Sequence, residues 1–154
     1  MNIELWLRCI STFSTFGIGV LLAFIAYRQS KISLAKLKFD LYERRLKVFN
    51  IVMTFIASIF ANGNVEMIVL HQFLYDTNEC EFLFGKDVCK YIEVLHRKGK
   101  EIHYANLKLE RRMLGESDRS EITGENLELA NWFDQQLKEA RKIFSKDLTI
   151  KSLR

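Results

Sequence analysis

The sequence predicts an all-α fold, an N-terminal transmembrane helix continuous with a small helical bundle, and three observations carry that expectation. The 154 residues contain no proline, and proline costs roughly 3 kcal/mol inside a helix. A charge-free run occupies Cys9–Tyr27. Beyond it, apolar residues return every three or four positions, the period of a helix face and not the alternation of a strand.

Residues 9–27 read CISTFSTFGIGVLLAFIAY, nineteen positions without a charge. About 20 helical residues at 1.5 Å each cross a hydrocarbon core of about 30 Å. Trp6 and Tyr27 stand towards the two ends, where amphipathic aromatics prefer the headgroup region. A cleaved secretory signal would have a shorter apolar core followed by a small-residue cleavage site. Here YRQSKISLAKLK follows, basic and helix-prone, so the segment reads as an anchor.

The flanks set an expected orientation. Arg28, Lys31, Lys36 and Lys38 follow the span, against Arg8 and Glu4 before it. The positive-inside rule then places the N-terminus outside a bacterial inner membrane and the rest in the cytoplasm, with the basic flank against anionic lipid. The expected division is an anchor over 1–28 and a cytoplasmic helical domain over 29–154. Within the span, Thr15, Gly19 and Ala23 recur every four residues, with Thr12 and Ala26 on the same side. Small residues let helices approach closely, so the span is expected to pack against another copy, in a homo-oligomer for which a tetramer is one symmetric solution.

From Gln29 to Ala61 no breaker occurs, and the helix is expected to continue the span. Ile32, Ala35, Phe39, Tyr42, Leu46, Phe49, Met53, Ile56 and Phe60 form an unbroken heptad seam, which faces a partner helix. Leu34, Leu37, Leu41, Val48, Val52, Phe55 and Ile59 make a second apolar side, interrupted at Arg44 and Arg45. A helix apolar on two sides is expected to lie between its own bundle and another copy.

Asn62-Gly63-Asn64 reads as a helix stop followed by an N-cap, and a second helix is expected over Val65–Tyr75. DTNECEFLFGKDV, with its turn formers and Gly85, is expected to be a loop whose aromatics pack inward. A third helix is expected over Lys86–Leu114, and GESDRSEITGEN as a polar loop. A fourth helix is expected to begin near Glu125 and to present Leu129, Trp132, Phe133, Leu137, Ala140 and Phe144 to the core.

Much chemistry is excluded. The chain has no phosphate-cradling glycine loop, no G-x-S-x-G elbow and no H-E-x-x-H, and it calls for no cofactor. Cys89, Glu93, His96, Lys100 and His103 share a face of the third helix, but Lys100 between the histidines opposes a metal, and none is expected. Cys9, Cys80 and Cys89 form neither a CxxC nor an even set, which predicts no disulfide framework and a reducing setting. The net charge of +4 suits anionic partners but is far below that of a DNA-binding protein. The basic residues gather as Arg44-Arg45-Lys47, Arg97-Lys98-Lys100 and Lys108-Arg111-Arg112. Of these, Arg44, Arg45, Lys47, Arg97, Lys98, Arg111 and Arg112 are the candidate anion ligands, since converging arginines can grip phosphates in a bidentate way.

LLAFIAYRQSKISLAKLKFDLYERRLKVFN, together with CEFLFGKDV and NWFDQQL, resembles a widespread bacterial family of small single-span membrane proteins. Its pattern is an LDLYxRRxKVY-like helix, an EFLFG turn and a WFxxQ helix. Here Phe39 precedes Asp40, and Phe49 stands where tyrosine is common. The shared motifs are structural and imply no catalytic residues. In layout alone the chain also resembles membrane effectors of type III CRISPR systems, which bind cyclic oligoadenylate through a helical domain and perturb the membrane. That resemblance implies a non-enzymatic sensor and effector in antiviral defence, with a cyclic oligonucleotide as ligand. The alternative is a membrane-tethered scaffold that recruits a protein partner.

Overall fold

A computed structural model describes the backbone of residues 3–110 and 116–149, and the side chains of 16–109 and 122–149. Among these residues the chain is all helix and turn, without a strand. Helix α1 spans Ile3–Asn62, α2 Met67–Asp76, α3 Cys80–Leu83, α4 Lys86–Glu110 and α5 Glu116–Ser145. The chain divides into two units, Met1–Asp40 and Leu41–Arg154. The expected continuity of span and first helix is observed, because α1 runs without a break through 60 residues.

In the first unit every described side chain, from Phe16 to Asp40, is exposed. Phe16, Leu21, Leu22 and Phe24 are each more than half accessible. Soluble monomers rarely leave contiguous apolar patches beyond a few hundred Å² uncovered. By length and composition α1 could cross a membrane, and it is the one described helix of which this holds.

The second unit is built around α4, against which α2, α3 and α5 each pack. Val88, Ile92, Leu95 and Ile102 of α4 are buried at heptad-like spacing. They meet Val48, Val52, Phe55, Ile56 and Ile59 from α1, Leu70 and Phe73 from α2, and Phe133, Ala140 and Phe144 from α5 in one core. Gly99 is the point of closest approach. A Cβ there would stand 2.8 Å from Leu70 Cδ2 and 3.0 Å from Phe55 Cζ, so the missing side chain is what lets α4 lie against α1 and α2.

The two apolar sides of α1 take unequal parts. The second side faces the core at Val48, Val52, Phe55 and Ile59, whereas Leu34 and Leu37 are exposed. The heptad seam is exposed at Ile32 and Phe39, half-buried at Leu46, Phe49 and Met53, and fully buried at Ile56. Ile32 and Phe39 lie in the first unit, where every described side chain is exposed, and the last member of the seam, Phe60, is 49% exposed.

Several boundaries differ from those expected. Gly63 does end α1, with φ at 62° and its N–H donating to Ile59 O at 2.8 Å, the left-handed stop that glycine adopts without strain. Asn64 is not the cap of α2. Its Oδ1 accepts from Val65 N–H at 2.7 Å, and Glu66 stands at the N-cap without a side-chain bond. The turn is held from outside instead: His103 Nδ1–H donates to Val65 O at 2.8 Å, and Asn106 Nδ2 donates to Gly63 O at 3.1 Å.

The expected loop 76–88 contains the single-turn helix α3. Of its two aromatics Phe84 packs inward as expected, beside Leu83, but Phe82 points outward and is 87% exposed. Helix α5 starts at Glu116, nine residues before Glu125. Once a helix is nucleated each further turn is cheap, so the polar stretch is carried as helix through Gly124. Asn126 Nδ2, donating to Asn106 Oδ1 at 3.1 Å, ties this part to α4. The expected end of the third helix beyond Glu110 lies outside the described residues. On α5, Phe133, Ala140 and Phe144 are buried, with Leu129, Trp132 and Leu137 packed at the edge of the core.

The cysteine reading is corrected. Cys80 and Cys89 form a disulfide that joins α3 to α4 across Gly85, with Cα atoms 5.8 Å apart. Neither a CxxC nor an even count is needed for this, because the EFLFG turn folds the two residues back on each other.

Candidate functional site

Among the described residues of the second unit, an open groove of about 860 Å³ lies between α1 and α2. Its floor is set by Phe55 and Phe73, which stack with ring centroids 3.9 Å apart and planes inclined by 14°. Ile51 and Val69 continue the apolar wall, and Thr54, Ser58 and Gln72 interrupt it with polar groups. Helix periodicity explains the placement. On α1, residues 47, 51, 54 and 58 follow one another at spacings of three and four, beside the core row 48, 52, 55 and 59. The core row fixes the helix, and its neighbour lines the groove.

The rim is charged with both signs. Glu43, Arg44 and Lys47 stand on the α1 side, and Asp76 on the α2 side. Asp76 Oδ1 accepts a hydrogen bond from Gln72 Nε2 at 2.8 Å. Arg44 Nη1 lies 3.7 Å from Glu79 Oε2, with both side chains more than half exposed; a pair of this kind contributes about 1 kcal/mol or less.

Arg45, the next residue, faces the other way. Its Nε donates to Leu83 O at 2.8 Å and its Nη1 to Asp147 O at 2.9 Å, while its guanidinium lies 5.8 Å from the centre of the Phe84 ring. Arg45 is thereby engaged with the α3–α4 turn and with the segment after α5. Of the first basic cluster, the structure brings Arg44 and Lys47 together at the groove, and directs Arg45 into the packing of its own domain.

The other expected basic residues lie elsewhere. Arg97 is exposed on α4, and Lys98 Nζ is 2.6 Å from Glu101 Oε2. Lys98 and Lys108 border a second hollow of about 580 Å³ between α4 and α5, but Glu101, Glu125 and Glu128 line it too. The side chains of Arg111 and Arg112 lie outside the described residues, as do those of Thr12 and Thr15. Gly19, Ala23 and Ala26 are exposed on α1, and a Cβ at Gly19 would meet nothing within 4 Å.

The histidine face of α4 is bound up in structure. Cys89 is in the disulfide, His103 holds the α1–α2 turn, and His96 is buried. Among the described residues no three His, Cys, Asp or Glu side chains are grouped so as to hold a metal ion. Burial, then the charges of Lys100 and His71, hold the His96 imidazole below its usual pKa of 6.5. The unfolded chain binds this proton at about pH 6.5 and the folded chain only at lower pH. Stability is therefore full above 6.5 and falls as the pH drops from there through the folded value. Thermal melts of the full chain in detergent should show a lower midpoint at pH 5.5 than at pH 7.5, and His96→Gln should flatten that difference.

Buried Tyr91 donates to Gln136 O at 3.3 Å, and burial, then Glu139, raise its phenol well above the usual range. It is a cross-tie between α4 and α5, not an acid. The sequence alone did not single out Thr54, Val69 or Gln72 of the groove. The signal available was the 3–4 spacing of Val69, Gln72, Phe73 and Asp76, but nothing in it said that this face would meet α1. Compared with known proteins, the chain matches no family model, no curated protein and no solved structure.

Proposed function

We propose that the protein is a non-enzymatic docking module anchored to a membrane by the N-terminal part of α1, with its helical domain in the cytoplasm. The groove between α1 and α2 receives an amphipathic helix of a partner protein. One observation carries this reading: the groove has an apolar floor centred on the Phe55–Phe73 stack and a rim bearing both signs of charge. A helix laid in such a groove buries an apolar stripe at i, i+3, i+4 and i+7. The α1 edge carries Arg44 and Lys47 against Glu43, the α2 edge Asp76, so the complementary helix is acidic along one flank and basic along the other. Because α1 forms one wall, an occupant touches the same helix that carries the apolar span, and self-association of that span through Gly19, Ala23 and Ala26 would gather several grooves at one place.

A second reading keeps Arg44 and Lys47 as ligands for an anion, a cyclic oligonucleotide whose bases rest on the apolar floor and whose occupancy perturbs the membrane in antiviral defence. The position of both cations on one rim favours it; Glu43, Asp76 and Glu79 around them oppose it.

A photo-crosslinking residue at Thr54 of the full-length protein in its own cells separates the two. The docking reading expects capture of a peptide with an amphipathic helical pattern, absent when the probe sits at exposed Lys90. It also expects the yield to fall on the order of tenfold with Val69→Glu, a loss of about 1.4 kcal/mol or more in binding. The anion reading expects Val69→Glu to matter less than Arg44→Ala with Lys47→Ala, and the latter to abolish retention of a labelled cyclic oligonucleotide. Loss of neither activity with either variant removes the groove from consideration.

A further inference from the structure

Two observations that pull in opposite directions meet at Cys80 and Cys89. The basic flank of the span favours a cytoplasmic domain, yet that domain contains a disulfide. Disulfides that form in a reducing compartment are usually transient and redox-sensing. We infer that Cys80–Cys89 is a reversible redox latch that fixes the α3 turn against α1; this rests on the cytoplasmic orientation proposed above.

The placement of the pair supports a latch and not a staple for the whole domain. Helix α3 has four residues, too few to persist without support. The disulfide ties it to α4, whose buried row belongs to the core. On and around α3 are grouped the groups that hold the Arg44–Arg45 turn of α1: Leu83 O takes the Arg45 Nε–H, Phe84 lies beneath the Arg45 guanidinium and against Phe144 with centroids 5.2 Å apart, and Glu79 pairs with Arg44 on the groove rim. Opening the bond removes the covalent tie and loosens this segment, which then depends on the burial of Leu83 and Phe84 and on the Arg45 bond, and leaves the buried face of α4 in the core.

The two sulfurs differ in access. Cys80 is 4% exposed, whereas Cys89 is partly exposed. Closure by a peroxide follows from this asymmetry. The Cys89 thiolate attacks one peroxide oxygen, giving a sulfenic acid and releasing water; the Cys80 thiol attacks the Cys89 sulfur, the S–S bond forms, and the hydroxyl leaves as a second water. In sum, two thiols and one hydrogen peroxide give one disulfide and two waters. Opening uses a dithiol reductant: its first thiolate attacks Cys89 Sγ and displaces the Cys80 thiolate, its second thiolate then attacks the reductant sulfur of the mixed disulfide and displaces the Cys89 thiolate, and the reductant leaves as its own disulfide while both cysteines take up protons.

The test uses the full-length protein in intact cells, quenched with acid and labelled with a mass-tagged maleimide. Cells at rest should yield protein in which all three cysteines are labelled, and a brief pulse of hydrogen peroxide should leave one, reverting within minutes as the reducing systems recover. In isolated membranes, dithiothreitol should speed chymotryptic cleavage at Phe82–Phe84 on the order of ten- to a hundredfold, with no change at Tyr104. Cys80→Ser with Cys89→Ser should give the fast rate without reductant; if that variant does not fold, the wild-type comparison with and without dithiothreitol carries the result. A pair that stays oxidised in resting cells, or a cleavage rate indifferent to reduction, overturns the latch. Fusions of a fluorescent protein and of alkaline phosphatase to the C-terminus separate the causes: a fluorescent fusion with an oxidised pair refutes the latch alone, whereas an active phosphatase refutes the orientation beneath it.

Discussion

Phe144→Ala is expected to lower the stability of the helical domain by about 3–5 kcal/mol, the range for deleting a fully buried aromatic side chain. Phe144 has no exposure and belongs to the core. Its ring meets Phe49 of α1 with centroids 5.4 Å apart and Phe84 after α3 at 5.2 Å, both in tilted or edge-on arrangements that add to the area term. Near the end of α5, Phe144 therefore joins α1, the α3 turn and α5, the same parts that Arg45 bridges through hydrogen bonds. Its carbonyl also accepts from the amides of Asp147 and Leu148 at 3.1 and 3.0 Å, so the turn that presents Asp147 O to Arg45 starts at the same residue. Circular-dichroism melts of the full chain in detergent should show the midpoint falling by more than about 10 °C. A fall of only a degree or two would mean that the C-terminal end of α5 is not part of the cooperative unit.

Arg45→Ala is expected to cost about 2–4 kcal/mol, and Arg44→Ala next to it less than about 1 kcal/mol. Arg45 makes two charge-assisted bonds to backbone carbonyls, each of a kind that contributes about 1.5–3 kcal/mol, and removing it leaves Leu83 O and Asp147 O without that donor. Arg45→Lys should recover less than half of the loss, because one ammonium cannot reproduce the planar fork that reaches two carbonyls on different segments. The same melts, run on the four proteins side by side, measure the difference. Equal effects at 44 and 45 would mean that the two guanidinium groups exchange roles in solution. The contrast also governs any functional test. A double substitution at 44 and 45 would confuse unfolding with loss of binding, whereas Arg44→Ala with Lys47→Ala changes the groove rim, takes from the α3 segment an exposed ion pair with Glu79, and keeps the Arg45 bonds.

Much of the architecture was legible from the chain itself because it depends on local spacing. The absence of proline and the charge-free run of residues 9–27 announce a long apolar helix. The 3–4 recurrence of Phe133, Leu137, Ala140 and Phe144 marks the inner face of α5, and Gly63 marks the end of α1. These are properties that a helix has before it meets anything else.

What the chain could not disclose by itself depends on which surfaces meet. Arg44 and Arg45 are indistinguishable as letters, and a rotation of about 100° between successive residues sends one to the groove rim and the other under the α3 turn. Cys80 and Cys89 are nine positions apart, and nothing in the letters of the EFLFG turn between them said that it would fold them against each other. Two apolar sides on α1 could be read from the sequence, but which of them faced the core was decided by packing: the cost of exposing Val52, Phe55 and Ile59 exceeded that of exposing Phe60 and leaving Leu46 half-buried once α2, α4 and α5 were in place. Period and composition determined that this protein is helical and which faces of α1, α4 and α5 are apolar; only the contacts between helices, which no local pattern encodes, decided what each charged or reactive side chain would meet.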